Sequence, residues 1–261
     1  MRELPERFAI WQALAWTVCA TASLSLALGM VVAVFGPRVD IVPLGLTQTG
    51  VYGAALILFA AWQKKPFSQL MALRLAPLRL GLLALALGFA LQFPSTLLAN
   101  VVDHFFPLPD AVLARRLALL TPHSTAHGVA IVLVVSFIGP CVEEFFFRGA
   151  LFGALRRGHS ALTTMVVISL CFVAAHLDLR LLVPLMPAAW FMAEMRERSG
   201  SIWPGLALHA GFNSLTLLGV FSGLAPTGKP PPVPLPIAFL GCVAAASLFL
   251  QIRRIAAADR R

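Results

Sequence analysis

Long apolar stretches, separated by short polar or basic segments, run along the whole chain. A membrane-spanning helix needs about 20 mostly apolar residues, and the pattern predicts about eight spans. Their approximate bounds are 8–35, 48–62, 80–100, 128–155, 161–176, 181–193, 201–221 and 234–251. The longer connection 101–127 begins with prolines and carries polar residues, which predicts an interfacial loop with one short amphipathic helix. The expected fold is an all-α, polytopic transmembrane bundle in which residues 1–261 form a single integral membrane domain.

The composition supports a membrane protein. Hydrophobic residues make up 59% of the chain and charged residues 12%, with a mean hydropathy of +0.86, whereas a soluble domain carries about 25% charged residues. The formal net charge of +9 would suggest nucleic acid in a soluble protein. Here the basic residues cluster in alternate loops without interleaved aromatic residues, so we expect a lipid bilayer and no nucleic acid as the partner.

The distribution of basic residues predicts the orientation. Fourteen of the twenty Lys and Arg residues fall in the segments on the side of the N-terminus, five fall on the opposite side, and Arg148 lies within a span. Cytoplasmic loops are the ones enriched in Lys and Arg, so both termini are expected in the cytoplasm. The high usage of Ala, Leu, Arg and Pro indicates a GC-rich bacterial genome, and therefore the cytoplasmic membrane of a bacterial cell.

The fourth span contains an unusual group of charges, Glu143, Glu144 and Arg148. Each such residue at mid-membrane costs about 2.5–3.5 kcal/mol on insertion scales, so three together require a reason. Glu144 and Arg148 are four residues apart and share a helix face, where they can pair. Glu143 is rotated by about 100° from Glu144, which leaves it available for another role.

Three further polar residues interrupt later spans: His176 ends the fifth, and His209 and Asn213 lie four apart on the seventh. A histidine at a span end is also typical of an interfacial residue, and a His/Asn pair is also typical of a contact between helices. The small residue Gly211 lies between the pair and would let another helix approach. Convergence of these groups on one site requires tilted helices or a kink, which Gly139-Pro140 could supply.

Taken together, Glu-Glu-x-x-x-Arg, Phe-x-x-x-His and His-x-x-x-Asn on successive spans resemble the motifs of the CPBP intramembrane proteases. This family includes the type II CAAX prenyl endopeptidases and bacterial proteins associated with bacteriocin processing and self-immunity. The resemblance covers about 139–213 and implies a catalytic core at about 128–221.

The resemblance implies a role for each motif residue. Glu143 would be the base that activates a water molecule, and His176 would help to hold that water. His209 and Asn213 would stabilise the oxyanion of the tetrahedral intermediate. Three residues would support the site: Glu144, Arg148 and Phe172.

The sequence leaves the metal question open. Two histidines and a glutamate could form a three-ligand zinc site with an open water position, although no HExxH motif is present. No metal ligand is assigned outright; if a divalent metal such as zinc is bound, its ligands would be Glu143, His176 and His209.

The functional hypothesis is an intramembrane endopeptidase that acts on a peptide or on the C-terminal end of a membrane protein. One alternative is a non-catalytic membrane immunity or regulatory protein on the same scaffold. The other is a proton-coupled carrier, which the lack of an internal repeat disfavours. Whether the substrate is prenylated does not follow from the sequence.

Overall fold

The computed structural model describes residues 8–36, 39–224 and 232–258, and all regular structure in these ranges is helical. Its α-helices are α1 Ile10–Phe35, α2 Ile41–Gln63, α3 Phe67–Leu70, α4 Leu78–Phe105, α5 Asp110–Leu120, α6 Thr125–Leu133, α7 Gly139–Glu144, α8 Phe152–Arg156, α9 Ala161–Ala174, α10 Leu182–Ser199, α11 Trp203–Phe221 and α12 Leu235–Ala258. Each of the eight predicted spans corresponds to a helical segment, and α5 is the short helix expected within 101–127. The all-α prediction is confirmed.

Five helical segments are long and apolar enough to cross a membrane: Ile10–Phe35, Ile41–Gln63, Leu78–Phe105, Thr125–Arg156 and Leu235–Ile255. The segment Ala161–Ala174 is apolar but shorter. The count of eight spans and the cytoplasmic termini therefore stay predictions. Several arginines on which the predicted orientation depends lie outside the described residues: Arg2, Arg7, Arg38, Arg260 and Arg261.

Many large apolar side chains lie on the outside of the helices instead of in the core. Trp11 and Leu26 on α1 are exposed by 67% and 71%, and Phe239 on α12 by 67%. Such a surface is unfavourable in water, because apolar area exposed to water opposes folding. It is stable where hydrocarbon replaces water, so the protein is integral to a membrane.

The second helix begins earlier than the sequence predicted. The apolar pattern gave a start at Gln48, whereas α2 begins at Ile41. The Asp40 side chain caps this helix by accepting a hydrogen bond of 2.8 Å from the backbone N–H of Val42, and Pro43 stands in the first turn, where proline is tolerated. The earlier start places Gln48 two turns inside the helix.

Two glycines allow α4 and α11 to cross closely, and α12 also packs against α4. A Cβ atom on Gly88 would stand 2.1 Å from the Leu208 carbonyl oxygen, and one on Gly211 would stand 2.5 Å from the Leu85 carbonyl oxygen. Any larger residue would force the two backbones apart. The crossing fixes the depth and rotation of α11, the helix that carries His209 and Asn213.

We expect Gly211→Ala to destabilise the protein by about 1–3 kcal/mol, the usual cost of overpacking a tight contact. The matched control is Gly219→Ala on the same helix, where an added Cβ meets nothing within 4 Å and where alanine has the higher helix propensity. Thermal unfolding in detergent measures both. Equal midpoints for the two variants would contradict the close crossing.

The segment 125–156 is continuously helical and contains two π-helical turns, Val134–Ile138 and Phe145–Leu151. At the end of the first, the backbone N–H of Gly139 donates to the Val134 carbonyl. The next residue is Pro140, which has no N–H, so the Val135 carbonyl is left without a backbone donor from this turn. π-helical turns of this kind occur frequently at functional sites, and these two flank Glu143 and Glu144.

Candidate active site

Glu144 and Arg148 form the ion pair that their spacing predicted. Arg148 Nη1 donates to Glu144 Oε1 over 2.8 Å, and both side chains are fully buried. Arg148 Nη2 also donates to the Ala189 carbonyl on α10 over 3.1 Å. Its guanidinium lies over the ring of Phe172 on α9, 4.2 Å from the centroid. Arg148 therefore links the charged helix, which is the segment 125–156, to α9 and α10.

Glu143 has a different set of partners, as its rotation relative to Glu144 predicted. Its Oε1 accepts a hydrogen bond of 2.5 Å from Nε2 of Gln48 on α2, and its Oε2 lies 3.7 Å from Nε2 of His209 on α11. The side chain is 14% exposed. Glu143 is thus a partly accessible carboxylate with polar contacts to helices on two sides.

His209 and Asn213 project from the same face of α11 towards the charged helix. His209 Nδ1 lies 3.3 Å from Glu144 Oε1, so its two ring nitrogens face the two glutamates. Asn213 Nδ2 donates to the Val135 carbonyl over 2.9 Å, which is the carbonyl left without a backbone donor before Pro140. This bond orients the Asn213 amide and leaves its second N–H available, since an amide nitrogen carries two.

Phe172 lies in the last turn of α9, and His176 follows the end of this helix at Ala174, beside these groups. His176 Nδ1 lies 2.9 Å from the Phe172 carbonyl oxygen. A carbonyl only accepts, so Nδ1 carries the proton and Nε2 of the neutral ring presents a lone pair. The Phe172 ring makes T-shaped contacts with both histidine rings, at 5.0 Å from His176 and 5.6 Å from His209.

One cavity of about 180 Å³ joins these side chains. Its lining includes Gln48 and five residues that the sequence singled out: Glu143, Phe172, His176, His209 and Asn213. Glu144 and Arg148 do not belong to the lining of this cavity. Water occupies about 30 Å³ per molecule in the liquid, so the cavity can hold a water beside a small polar group.

The segment that follows His176 is anchored to α5. Arg116 Nη2 donates to Asp178 Oδ2 over 2.7 Å, and the backbone N–H of Arg180 donates to Asp178 Oδ1 over 3.0 Å. Partial burial acts to raise the pKa of Asp178, but these hydrogen bonds and the two nearby cations outweigh it and hold the pKa below its usual value. The Arg116–Asp178 ion pair therefore stabilises the folded state fully above the ordinary carboxyl pKa of 3.8. This stabilisation is lost only as the pH falls through the lowered pKa of Asp178.

The donor set does not fit a three-ligand zinc site. Among the residues that the structure describes, no group of three or more His, Cys, Asp and Glu side chains is arranged to hold a metal ion. His209 presents its two nitrogens to two different carboxylates, and His176 uses Nδ1 on its own helix.

The structure adds two groups to the site that the sequence did not single out, Gln48 and the Val135 carbonyl. Gln48 is a polar residue in an apolar helix, which is a signal of function, but the predicted span began at this residue and so placed it at the membrane edge. The Val135 carbonyl is free to accept from Asn213 because of a π-helical turn, and no hydrophobic pattern in the sequence predicts that turn.

Comparison with known proteins finds a match for about a third of the chain. Residues 125–215 match the family model described as type II CAAX prenyl endopeptidase Rce1-like. No curated protein and no solved structure matches the chain. The matched segment begins at α6, contains the two π-helical turns and ends within α11, so it includes all three motifs on which the sequence resemblance rested. Over these residues the chain is similar to the Rce1-like type II CAAX prenyl endopeptidases.

Proposed function

We propose that this protein is an intramembrane endopeptidase that hydrolyses a peptide bond with a water molecule activated by Glu143. The observation that carries the proposal is the shared cavity, which brings a carboxylate, two histidines and an amide from three helical segments onto one space of about 180 Å³. Amide hydrolysis needs a nucleophilic water, a nearby base and donors directed at the developing negative charge. The cavity offers a residue for each task.

In the first step, the water lies between Glu143 and His176. Nε2 of His176 accepts a hydrogen bond from the water, because its Nδ1 proton is engaged with the Phe172 carbonyl. Glu143 takes a proton from the water as the water oxygen bonds to the substrate carbonyl carbon. A carboxylate held in a partly dry cavity is well suited to this transfer, since few other waters compete for it.

In the second step, His209 and Asn213 stabilise the oxyanion. In its doubly protonated form, His209 donates from Nδ1 to Glu144 and from Nε2 towards the oxyanion. Asn213 donates its second amide N–H, because the first is held by the Val135 carbonyl. The intermediate collapses when Glu143 returns the proton to the leaving nitrogen and the C–N bond breaks. The proton taken from the water thus ends on the leaving nitrogen, and no covalent enzyme intermediate forms.

A second cavity beside the first supports a substrate with an apolar part. It has a volume of about 470 Å³ and a mostly apolar lining drawn from α4, α5, α10 and α11, and Leu185 and Phe212 line both cavities. A peptide bond seated at Glu143 would therefore place the adjoining part of the substrate against apolar side chains. This favours a hydrophobic peptide or the C-terminal end of a membrane protein as the substrate.

The proposed location rests on residue usage and on the distribution of basic residues. We propose the cytoplasmic membrane of a bacterial cell, with both termini in the cytoplasm, because fourteen of the twenty basic residues would then lie on the cytoplasmic side. This orientation accounts for the basic residues of α8 and of the end of α10, Arg156 and Arg196, which would face the cytoplasm.

The test is cleavage of a quenched-fluorescent peptide library by the purified protein in detergent, with and without a chelator. The library contains peptides with apolar C-terminal segments, half of them with a prenylated cysteine. We expect turnover at one peptide bond, located by product mass, at a rate that the chelator does not change. Loss of turnover with the chelator and its return with zinc would contradict the metal-free mechanism.

Two results would overturn the protease proposal itself. Failure of the folded protein to cleave any peptide, together with full complementation of a deletion strain by Glu143→Gln, would favour the non-catalytic immunity or regulatory protein. Solute uptake into liposomes driven by a pH gradient would favour the proton-coupled carrier.

A further inference from the structure

Gln48 contacts the carboxylate of Glu143 although it lies outside the segment 125–215 that matches the family. Its Nε2 donates to Glu143 Oε1 over 2.5 Å, and its side chain lines the cavity that contains His176, His209 and Asn213. A polar amide within an apolar helix is unfavourable unless it has a partner. Glu143 is that partner.

The position of Gln48 is fixed by contacts on both neighbouring turns of α2. One turn earlier, Gly45 lies against the first π-helical turn, where a Cβ atom would stand 2.1 Å from Cγ1 of Val134. One turn later, the Tyr52 ring packs against the rings of Phe146 and Phe147 at 5.1 and 5.9 Å. These residues share one face of α2 and contact the charged helix on either side of Glu143, so the Gln48 amide is held at a defined distance from the carboxylate.

We infer that Gln48 is a positioning residue, which holds Oε1 of Glu143 so that Oε2 remains available to the attacking water. The inference rests on the proposed role of Glu143 as the base. Oε2 lies 3.7 Å from His209 Nε2, which is within ion-pair range but too long for a hydrogen bond, so a small rotation would turn the contact into a hydrogen-bonded pair. Such a pair would occupy the base and the oxyanion donor with each other. The hydrogen bond from α2 opposes that rotation and keeps the two groups apart.

The test uses Gln48→Met, which keeps a side chain of similar length and volume but removes the donor. We expect kcat to fall roughly ten- to a hundredfold, which corresponds to about 1.4–2.7 kcal/mol in the activation free energy, with KM and the thermal midpoint near those of the wild type. Gln48→Glu should lose more activity, because two carboxylates would then face each other. If Gln48 only filled space, Gln48→Met would retain its activity.

The matched control is Thr49→Val on the same helix. The Thr49 hydroxyl donates to the Gly45 carbonyl within α2 over 2.9 Å, and we expect this variant to keep the wild-type kcat. A fall in kcat as large in Thr49→Val as in Gln48→Met would overturn the inference, since it would assign the effect to α2 as a whole.

A second measurement separates this inference from the protease proposal. The carboxylate stretching band of Glu143, assigned by its loss in Glu143→Gln, should shift in Gln48→Met because the band is sensitive to hydrogen bonding. The infrared spectrum does not depend on turnover. A shifted band in a protein that cleaves nothing would support the hydrogen bond between Gln48 and Glu143 and overturn the protease proposal. An unmoved band in an active enzyme would overturn the role of Gln48 alone.

Discussion

Glu143→Gln is expected to reduce cleavage by about 10²–10⁴-fold, the usual contribution of a general base. The change keeps the size of the side chain and its ability to accept a hydrogen bond from Gln48, so the fold should be retained. It removes the proton acceptor that the attacking water needs. The loss should appear in kcat with little change in KM, since Glu143 is proposed to act on the water and not on the bound substrate.

The matched control for this substitution is Glu197→Gln on α10. Glu197 pairs with Arg156 at 2.9 Å near the end of the bundle, away from the cavity, and exposed pairs of this type contribute about 0–1 kcal/mol. We expect its activity to equal that of the wild type. Residual activity of Glu143→Gln above a tenth of wild type, at equal amounts of folded protein, would contradict the role of Glu143 as base.

The helices were predictable because the membrane imposes a simple pattern. A spanning segment needs a long run of apolar residues whatever their identity, and each predicted run is helical in the structure. The boundary of α2 was not predictable from hydropathy, because the stretch 41–46 is apolar but separated from the rest of the helix by the polar group Thr47, Gln48 and Thr49. A capping contact, between Asp40 and the N–H of Val42, decides where this helix begins.

The candidate site was predictable where spacing alone places residues on one face. The i,i+4 relations of Glu144 with Arg148 and of His209 with Asn213 hold in the structure. The contacts between helices did not follow from spacing. Gln48 reaches Glu143 across a sequence separation of 95 residues, and Asn213 reaches Val135 because a π-helical turn and Pro140 leave that carbonyl open. Both depend on how helices pack, for which the sequence carries no periodic signal.

Arg148→Met is expected to destabilise the protein by about 3–5 kcal/mol, the typical result of removing one partner of a buried ion pair. The Glu144 carboxylate would remain fully buried with His209 as its neighbour, and the Ala189 carbonyl would lose its donor. A change of this size should lower the thermal midpoint in detergent by on the order of 10 °C. Arg254→Met, at an exposed position on α12, is the control and should change stability by no more than about 0.5 kcal/mol.

The double variant Glu144→Gln/Arg148→Met separates stability from catalysis. Removing both charges eliminates the uncompensated carboxylate, so the double variant should regain most of the stability that Arg148→Met loses. Cleavage should not recover with it, because His209 Nδ1 would then face a neutral amide in place of the Glu144 carboxylate that orients it. Recovery of both properties together would mean that the pair only fills the core. Recovery of stability alone would mean that the buried pair sets the orientation of His209, the histidine proposed to stabilise the oxyanion.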